Sequence, residues 1–183
     1  MSDTLLITRA LTFAAEVHTD QRRKGARAEP YINHLIEVAT LVASATGGTD
    51  PELVVAALLH DTVEDTDTTI GHIAEHFGDD VAGIVEAMTD DKSLPKMVRK
   101  ARQIEKAPGL DPRAKMVKIA DKVSNLTSLL ESPPDQWPHE RIHAYAQWAE
   151  AVVAGCRGVS ADLEQRFDAA LQDVLARYPG AES

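Results

Sequence analysis

The stretch ELVVAALLHDTVED, residues 52–65, constrains this chain most. Its first part is apolar on nearly every side of a helix, so it is stable only at the centre of an assembly whose other helices cover it. Apolar residues recur at spacings of three and four almost throughout the 183 residues, aromatics make up only 4%, and β-branched alternation is scarce. The pattern predicts an all-α fold, a helical bundle forming a single domain over residues 1–183, with 44% hydrophobic residues to build its core.

The spacing predicts a first helix over residues 4–19, with Leu6, Ala10, Phe13, Ala14 and Val17 on one face. A second follows Pro30, carries Ile32, Leu35, Ile36, Ala39 and Val42, and stops at Gly47 and Gly48, which accept left-handed backbone geometry. Asp50 caps the third helix and Pro51 takes its first position. That helix is expected to run unbroken through Asp65. TIGHIAEHFG and DDVAGIVEAM read as two short helices parted at Gly78, and SLPKMVRKARQIEKA as a longer, mostly solvated one. Asp111 and Pro112 repeat the cap-then-proline start, with Met116, Ile119, Val123, Leu126 and Leu130 inward. SPPDQWP reads as a connection within the domain, leading to two C-terminal helices, residues 139–157 and 161–177, that pack on the rest.

A net charge of −10 argues against a nucleic-acid polymer as partner, since neutralising a phosphate backbone needs a coherent basic face. The longest apolar run, LVVAALL, is too short to span a bilayer. One cysteine, Cys156, and an N-terminus without a basic signal region point to a reducing, cytoplasmic setting. Against this acidic background QRRKGAR, residues 21–27, packs four cations into seven positions. Such a loop suits a small anionic ligand, or is simply solvated.

An HD dipeptide alone is weak evidence, but His60 and Asp61 come near the end of the most buried-looking helix, where ionisable groups are costly unless paired or bound to metal. Adjacent helical residues diverge by about 100°. Both therefore reach one ion only beside the C-terminal turns, and further ligands must come from other helices. Candidates are His34 on the second helix and Asp121 on the helix after Asp111, where Lys118, Asp121 and Asn125 form a polar stripe. Each alone is more often an ordinary structural residue. Together, two imidazoles and two carboxylates suit Mn, Fe or Zn better than Mg or Ca, and such an ion lowers the pKa of a bound water. Glu64 and Asp65, about one turn further on, either position that water and move its protons or only cap a helix end. Asp67 reads as a solvated bystander, and His72, His76, His139 and His143 as structural or surface groups.

The blocks FAAEVHTDQRRKG, EPYINHLIEVA, AALLHDTVEDT, FGDDVAGIVEAMTDDKS and KMVKIADKVSNL occur in that order. With them the chain resembles, over residues 5–131, the HD-domain (p)ppGpp hydrolases: the hydrolase domain of RelA/SpoT proteins and, more closely, the small stand-alone Mesh-type alarmone hydrolases. The resemblance implies an HD-type bundle with metal ligands His34, His60, Asp61 and Asp121, usually holding Mn. It implies Glu64 and Asp65 as the pair that orients or activates water. Arg23 and Lys24 match the basic pair beside the nucleotide and Asn125 the ribose contact, with Tyr31, Lys118 and Ser128 as further pocket positions. His18 recurs and would brace the site; Asp90, Asp91 and Lys92 lie in a block without a derived role.

The implied reaction is Mn-dependent hydrolysis of the 3′-pyrophosphate of ppGpp or pppGpp, with Fe or Zn as alternative metals, in a monomer or homodimer. Thr127 stands where many members have Arg, which bears on substrate preference, and Leu35 where many have Pro. The length leaves no room for the synthetase domain of long members, so hydrolysis without synthesis is expected. Two alternatives stay open: a substrate among adenine alarmones or the 2′-phosphate of NADPH, or a metal-holding module that senses a nucleotide without turnover.

Overall fold

The computed structural model describes residues 2–180, and among them the chain is helical without strands. The elements are α1 (Asp3–Val17), α2 (Ile32–Ala45), α3 (Pro51–Leu59), α4 (Thr62–Asp65), α5 (Ile70–Phe77), α6 (Asp79–Met88), α7 (Lys96–Lys106), α8 (Pro112–Glu131), α9 (His139–Ala154) and α10 (Ala161–Arg177). Every residue of α3 from Leu53 to Leu59 is buried, and α1, α2, α6 and α8 surround it. The apolar run thus takes the central position its composition demands. α10 lies along α8 and against α9. No helix among the described residues is long and apolar enough to cross a membrane.

Local signals set most boundaries. The Asp50 carboxylate accepts the Leu53 N–H at 3.0 Å and Asp111 accepts the Arg113 N–H at 2.8 Å, each followed by a proline at the helix start. Gly78, at φ +94°, parts α5 from α6 in a conformation other residues rarely adopt.

Residues 52–65 do not form one helix. The helix is interrupted at His60 and Asp61 and resumes as the single turn α4: His60 keeps helical dihedrals, φ −60°, ψ −30°, with its imidazole bonded to the Ala57 carbonyl at 2.8 Å, and Asp61 shifts to φ −100°, ψ −4°. On α2, Ile36 is 41% exposed and Val38 fully buried, so the inward face runs through His34, Leu35, Val38, Ala39 and Val42. α1 stops at Val17 and α9 at Ala154, short of the expected ends.

The basic loop is a compact hairpin-like turn. Residues Arg22 and Pro30 pair across it, Arg23 N–H donates to the Glu29 carbonyl at 2.9 Å, and Tyr31 N–H to that of Gln21 at 3.0 Å. It docks on the SPPDQWP connection through the Ala26 N–H to the Pro133 carbonyl (3.3 Å) and the Arg27 N–H to Ser132 Oγ (3.0 Å). Gly25 permits this approach, since a Cβ there would fall 2.2 Å from the Ser132 carbonyl oxygen.

Candidate active site

Three parts of the bundle bring His34 (α2), the His60–Asp61 turn and Asp121 (α8) to one point. Ligand atoms of His34, His60 and Asp121, all buried, lie within 4.8 Å of one another. Asp61 Oδ2 joins them, 3.1 Å from His60 Nε2 and 3.6 Å from His34 Nε2; His34 Nε2 is 3.3 Å and His60 Nε2 3.8 Å from Asp121 Oδ1. The Ala57 carbonyl can only accept, so Nδ1 of His60 donates to it, and Nε2 points into the cluster. That Nε2 is buried and makes no hydrogen bond.

Electrostatics concentrate negative potential there. Burial opposes the imidazolium of His60, yet the Asp61 and Asp121 carboxylates overcome it and hold its pKa up at about 10. Burial likewise pushes both carboxyls up, but positive charge outweighs it, mainly at His60 for Asp61 and at Lys122 for Asp121, so both stay well below the usual carboxylate range. An orphaned buried imidazole nitrogen among carboxylates that attract positive charge fits a divalent cation.

Glu64 and Asp65 flank the cluster on α4. Glu64 Oε2 accepts the Asp90 N–H at 3.1 Å and Oε1 lies 3.4 Å from Arg99 Nη1; burial raises its pKa, opposed by the Asp90 bond and aided by Asp61. Asp65 accepts Gln21 Nε2 at 2.8 Å and the Lys92 ammonium on its other oxygen. Gln21 is itself fixed by Nδ1 of His18 at 2.5 Å, so the buried His18 braces the acid pair through one amide. The segment around Asp90 to Lys92 thereby acquires a role, holding Glu64 and Asp65 from the α6–α7 side.

Above the metal cluster, Tyr31 donates to Asp61 Oδ2 at 2.6 Å, Asn125 Nδ2 to Asp121 Oδ1 at 2.7 Å, and Arg23 to Asn125 Oδ1 at 3.3 Å. Arg23, Tyr31 and Asn125, with Lys24, Asp65, Ser128, Trp137 and Tyr145, bound a cavity of about 320 Å³. A second, of about 310 Å³, is bounded by Glu64, Lys96, Arg99, Lys100, Arg141 and Trp148, and shares Lys24, Trp137 and Tyr145 with the first.

Lys118 is 5% exposed and lines neither cavity, and burial, then Lys122, lowers its pKa. The next lysine on the helix, Lys122, reaches Asp121 Oδ2 at 2.9 Å and lies 4.5 Å over the Trp148 ring. Sequence reasoning missed Gln21, Lys122, Trp137, Arg141, Tyr145 and Trp148. One signal was available: both tryptophans and one of three tyrosines fall within residues 137–148 of an aromatic-poor chain. His143 donates from Nδ1 to the Tyr178 carbonyl at 2.9 Å, a structural contact.

An all-α bundle that gathers two histidines and two aspartates, an adjacent His-Asp pair among them, around one cation-attracting point defines a metal-binding protein of the HD type. The HD-domain family model matches residues 10–173. The chain is 50% identical over 172 residues to the guanosine-3′,5′-bis(diphosphate) 3′-pyrophosphohydrolase MESH1 of Xenopus tropicalis, covering 94% of this chain and 96% of that protein. It is 47% identical to the MESH1 protein of Homo sapiens, covering 90% and 92%. A solved structure described as a metazoan ortholog of SpoT that hydrolyzes ppGpp superposes with a TM-score of 0.88 at 43% identity, covering 92% of this chain and 94% of that one. The Listeria monocytogenes protein lmo0812 superposes at 0.64 with 29% identity, over 80% and 98% of the two chains. The chain belongs to the HD-domain family, in the group of the MESH1 hydrolases. The likeness therefore extends past residue 131 into the C-terminal helices, of which α9 supplies cavity walls.

Proposed function

We propose that this protein is a (p)ppGpp 3′-pyrophosphohydrolase with Mn²⁺ as its metal, releasing pyrophosphate and leaving GDP or GTP. The observation that carries this reading is the convergence of the ligand cluster, the Glu64–Asp65 pair and two adjoining cavities joined at Lys24. Bound by His34, His60, Asp61 and Asp121, the ion supplies Lewis acidity at the scissile phosphate and lowers the pKa of water.

The chain's own groups do the rest. Arg23, steadied by Asn125, presents its guanidinium to a purine face, Asn125 and Ser128 meet the ribose side, and Tyr31 keeps Asp61 in place. Lys24 meets phosphate where the cavities join, and Lys96, Lys100 and Arg141 receive the 5′-diphosphate in the second. Asp65, fixed by Gln21 and Lys92, orients the attacking water. Glu64, made more basic by burial, takes its proton. The water oxygen bonds to the phosphorus attached to O3′, the P–O3′ bond breaks, and O3′ leaves as a hydroxyl by taking up the proton that Glu64 accepted from the water. Lys118 has no contact with nucleotide in this scheme.

The test is pyrophosphate release from ppGpp by purified protein, with Mn²⁺, Fe²⁺ and Zn²⁺ compared. Equimolar GDP and pyrophosphate with Mn²⁺ are expected. No turnover with any metal, or turnover unaffected by Asp121→Ala, rejects the reading. Higher kcat/KM for an adenine alarmone or NADPH in the same panel reassigns the substrate.

A further inference from the structure

We infer that Ser124 and Glu37 are positioning residues that fix the metal ligand His34. The two ligand imidazoles are held in different ways. His60 is fixed by a backbone carbonyl, that of Ala57, which no substitution can remove. His34 is fixed by side chains: its Nδ1 lies 2.8 Å from Ser124 Oγ, and Ser124 Oγ lies 2.6 Å from Glu37 Oε2.

A hydroxyl has one proton to give. The Glu37 carboxylate accepts it, so the serine oxygen receives the proton on Nδ1 of His34, and Nε2 of His34 is bare where it faces Asp61 and Asp121. The direction of one short relay thus sets which imidazole nitrogen is available to a cation. Helical spacing builds it: His34 and Glu37 stand three apart on α2, Asp121 and Ser124 three apart on α8, and each imidazole nitrogen of His34 meets one member of the α8 pair. His34 is 2% and Ser124 0% exposed, so water does not replace a lost partner freely. The inference rests on the metal reading of His34 and is independent of which nucleotide is hydrolysed.

The experiment titrates metal-free protein with Mn²⁺ alone by calorimetry, without nucleotide. Ser124→Thr and Ser124→Val add the same bulk to the buried site and differ only in keeping or losing the hydroxyl. The valine variant is expected to bind Mn²⁺ about 10- to 100-fold more weakly than the threonine variant, the usual effect of losing a partner behind a ligand. The valine variant is also expected to melt somewhat lower without metal, since Nδ1 of His34 loses its buried acceptor, so both titrations are run well below the two melting temperatures. Glu37→Gln weakens binding in the wild-type background and adds nothing in the Ser124→Val background, because the relay is already broken. If the bulkier side chains prevent folding, Ser124→Ala against wild type gives the same comparison. Equal Mn²⁺ affinities with and without the hydroxyl, or additive effects of the two substitutions, overturn the inference alone. A wild-type protein that binds no Mn²⁺ overturns the metal reading and the inference together.

Discussion

Nε2 of His60 lies 3.1 Å from Oδ2 of Asp61, the residue that follows it, at the interruption between α3 and α4. A continuous helix would turn the two side chains about 100° apart. The tips of these two side chains nonetheless converge on one point, and a cation there binds the folded state only. Mn²⁺ at 100 times its Kd should therefore stabilise the protein by about 2.7 kcal/mol, read as a rise in melting temperature that chelation reverses. The rise should vanish in His60→Ala; a rise retained in that variant would place the ion elsewhere.

Gln21 bridges His18 and Asp65, and its amide nitrogen can only donate to the carboxylate. Gln21→Leu removes that donor while keeping most of the volume. A hydrogen bond to a charged group contributes about 1.5–3 kcal/mol, so kcat/KM should fall roughly 10- to 100-fold with Mn²⁺ affinity unchanged. A parallel loss of metal affinity would mean that Gln21 supports the cluster and not the acid pair.

Cys156 is fully buried, and burial pushes its thiol up. A raised pKa leaves less thiolate at every pH below it, and the thiolate is the reacting form. Iodoacetamide at pH 8 should leave the native protein unlabelled over hours and modify one thiol per chain in denaturant. Rapid native labelling, followed by mass spectrometry, would contradict the packing of the α9 end.

The C-terminal pair of helices holds α8, and with it Asp121, against the bundle: α10 lies along α8 and Phe167 on it is fully buried in the core. Phe167→Ala should cost about 3–5 kcal/mol in urea denaturation, a large part of the stability of such a domain. A cost below about 1 kcal/mol, the size of an ordinary surface change, would mean that the C-terminal pair is only loosely attached.

What was legible in the sequence followed from local rules. Asp50 with Pro51, Asp111 with Pro112, and Gly78 announced helix ends because caps, prolines and left-handed glycines act within a few residues. The interruption at His60 and Asp61 was hidden because the residues around it suit a helix and the backbone shift is small, confined to Asp61 at φ −100°, ψ −4°. Ile36, expected inward, is exposed and Val38 is buried instead, since periodicity marks a stripe but not which edge of it the neighbouring helices cover. Gln21 and Ser124 carry no local mark, because each matters through a contact to a distant element, to Asp65 and His34 in that order, and Lys122, which bonds its own neighbour Asp121, is held under the Trp148 ring of α9. The four expected ligands were legible mainly through ordered blocks, which record tertiary contacts that spacing alone does not.

Arg141 offers the last test, of what α9 contributes to the pocket. Its guanidinium stacks 4.1 Å from the Trp137 ring centroid and borders the second cavity, across from Lys96 and Lys100. It is exposed, on a helix beyond the His-Asp cluster, and nothing places it at the reacting phosphorus. If it meets the 5′-diphosphate, its contribution is the same in the ground and transition states, so its loss raises KM and leaves kcat nearly unchanged. Arg141→Met should raise KM for ppGpp about 10-fold, the low end for hydrogen bonds to charged groups, and Arg141→Lys should restore part of it. The same substitution should leave KM unaltered for a guanosine 3′-diphosphate that lacks the 5′-phosphates. Equal losses on both substrates would move Arg141 from the 5′ side of the nucleotide to the 3′ side.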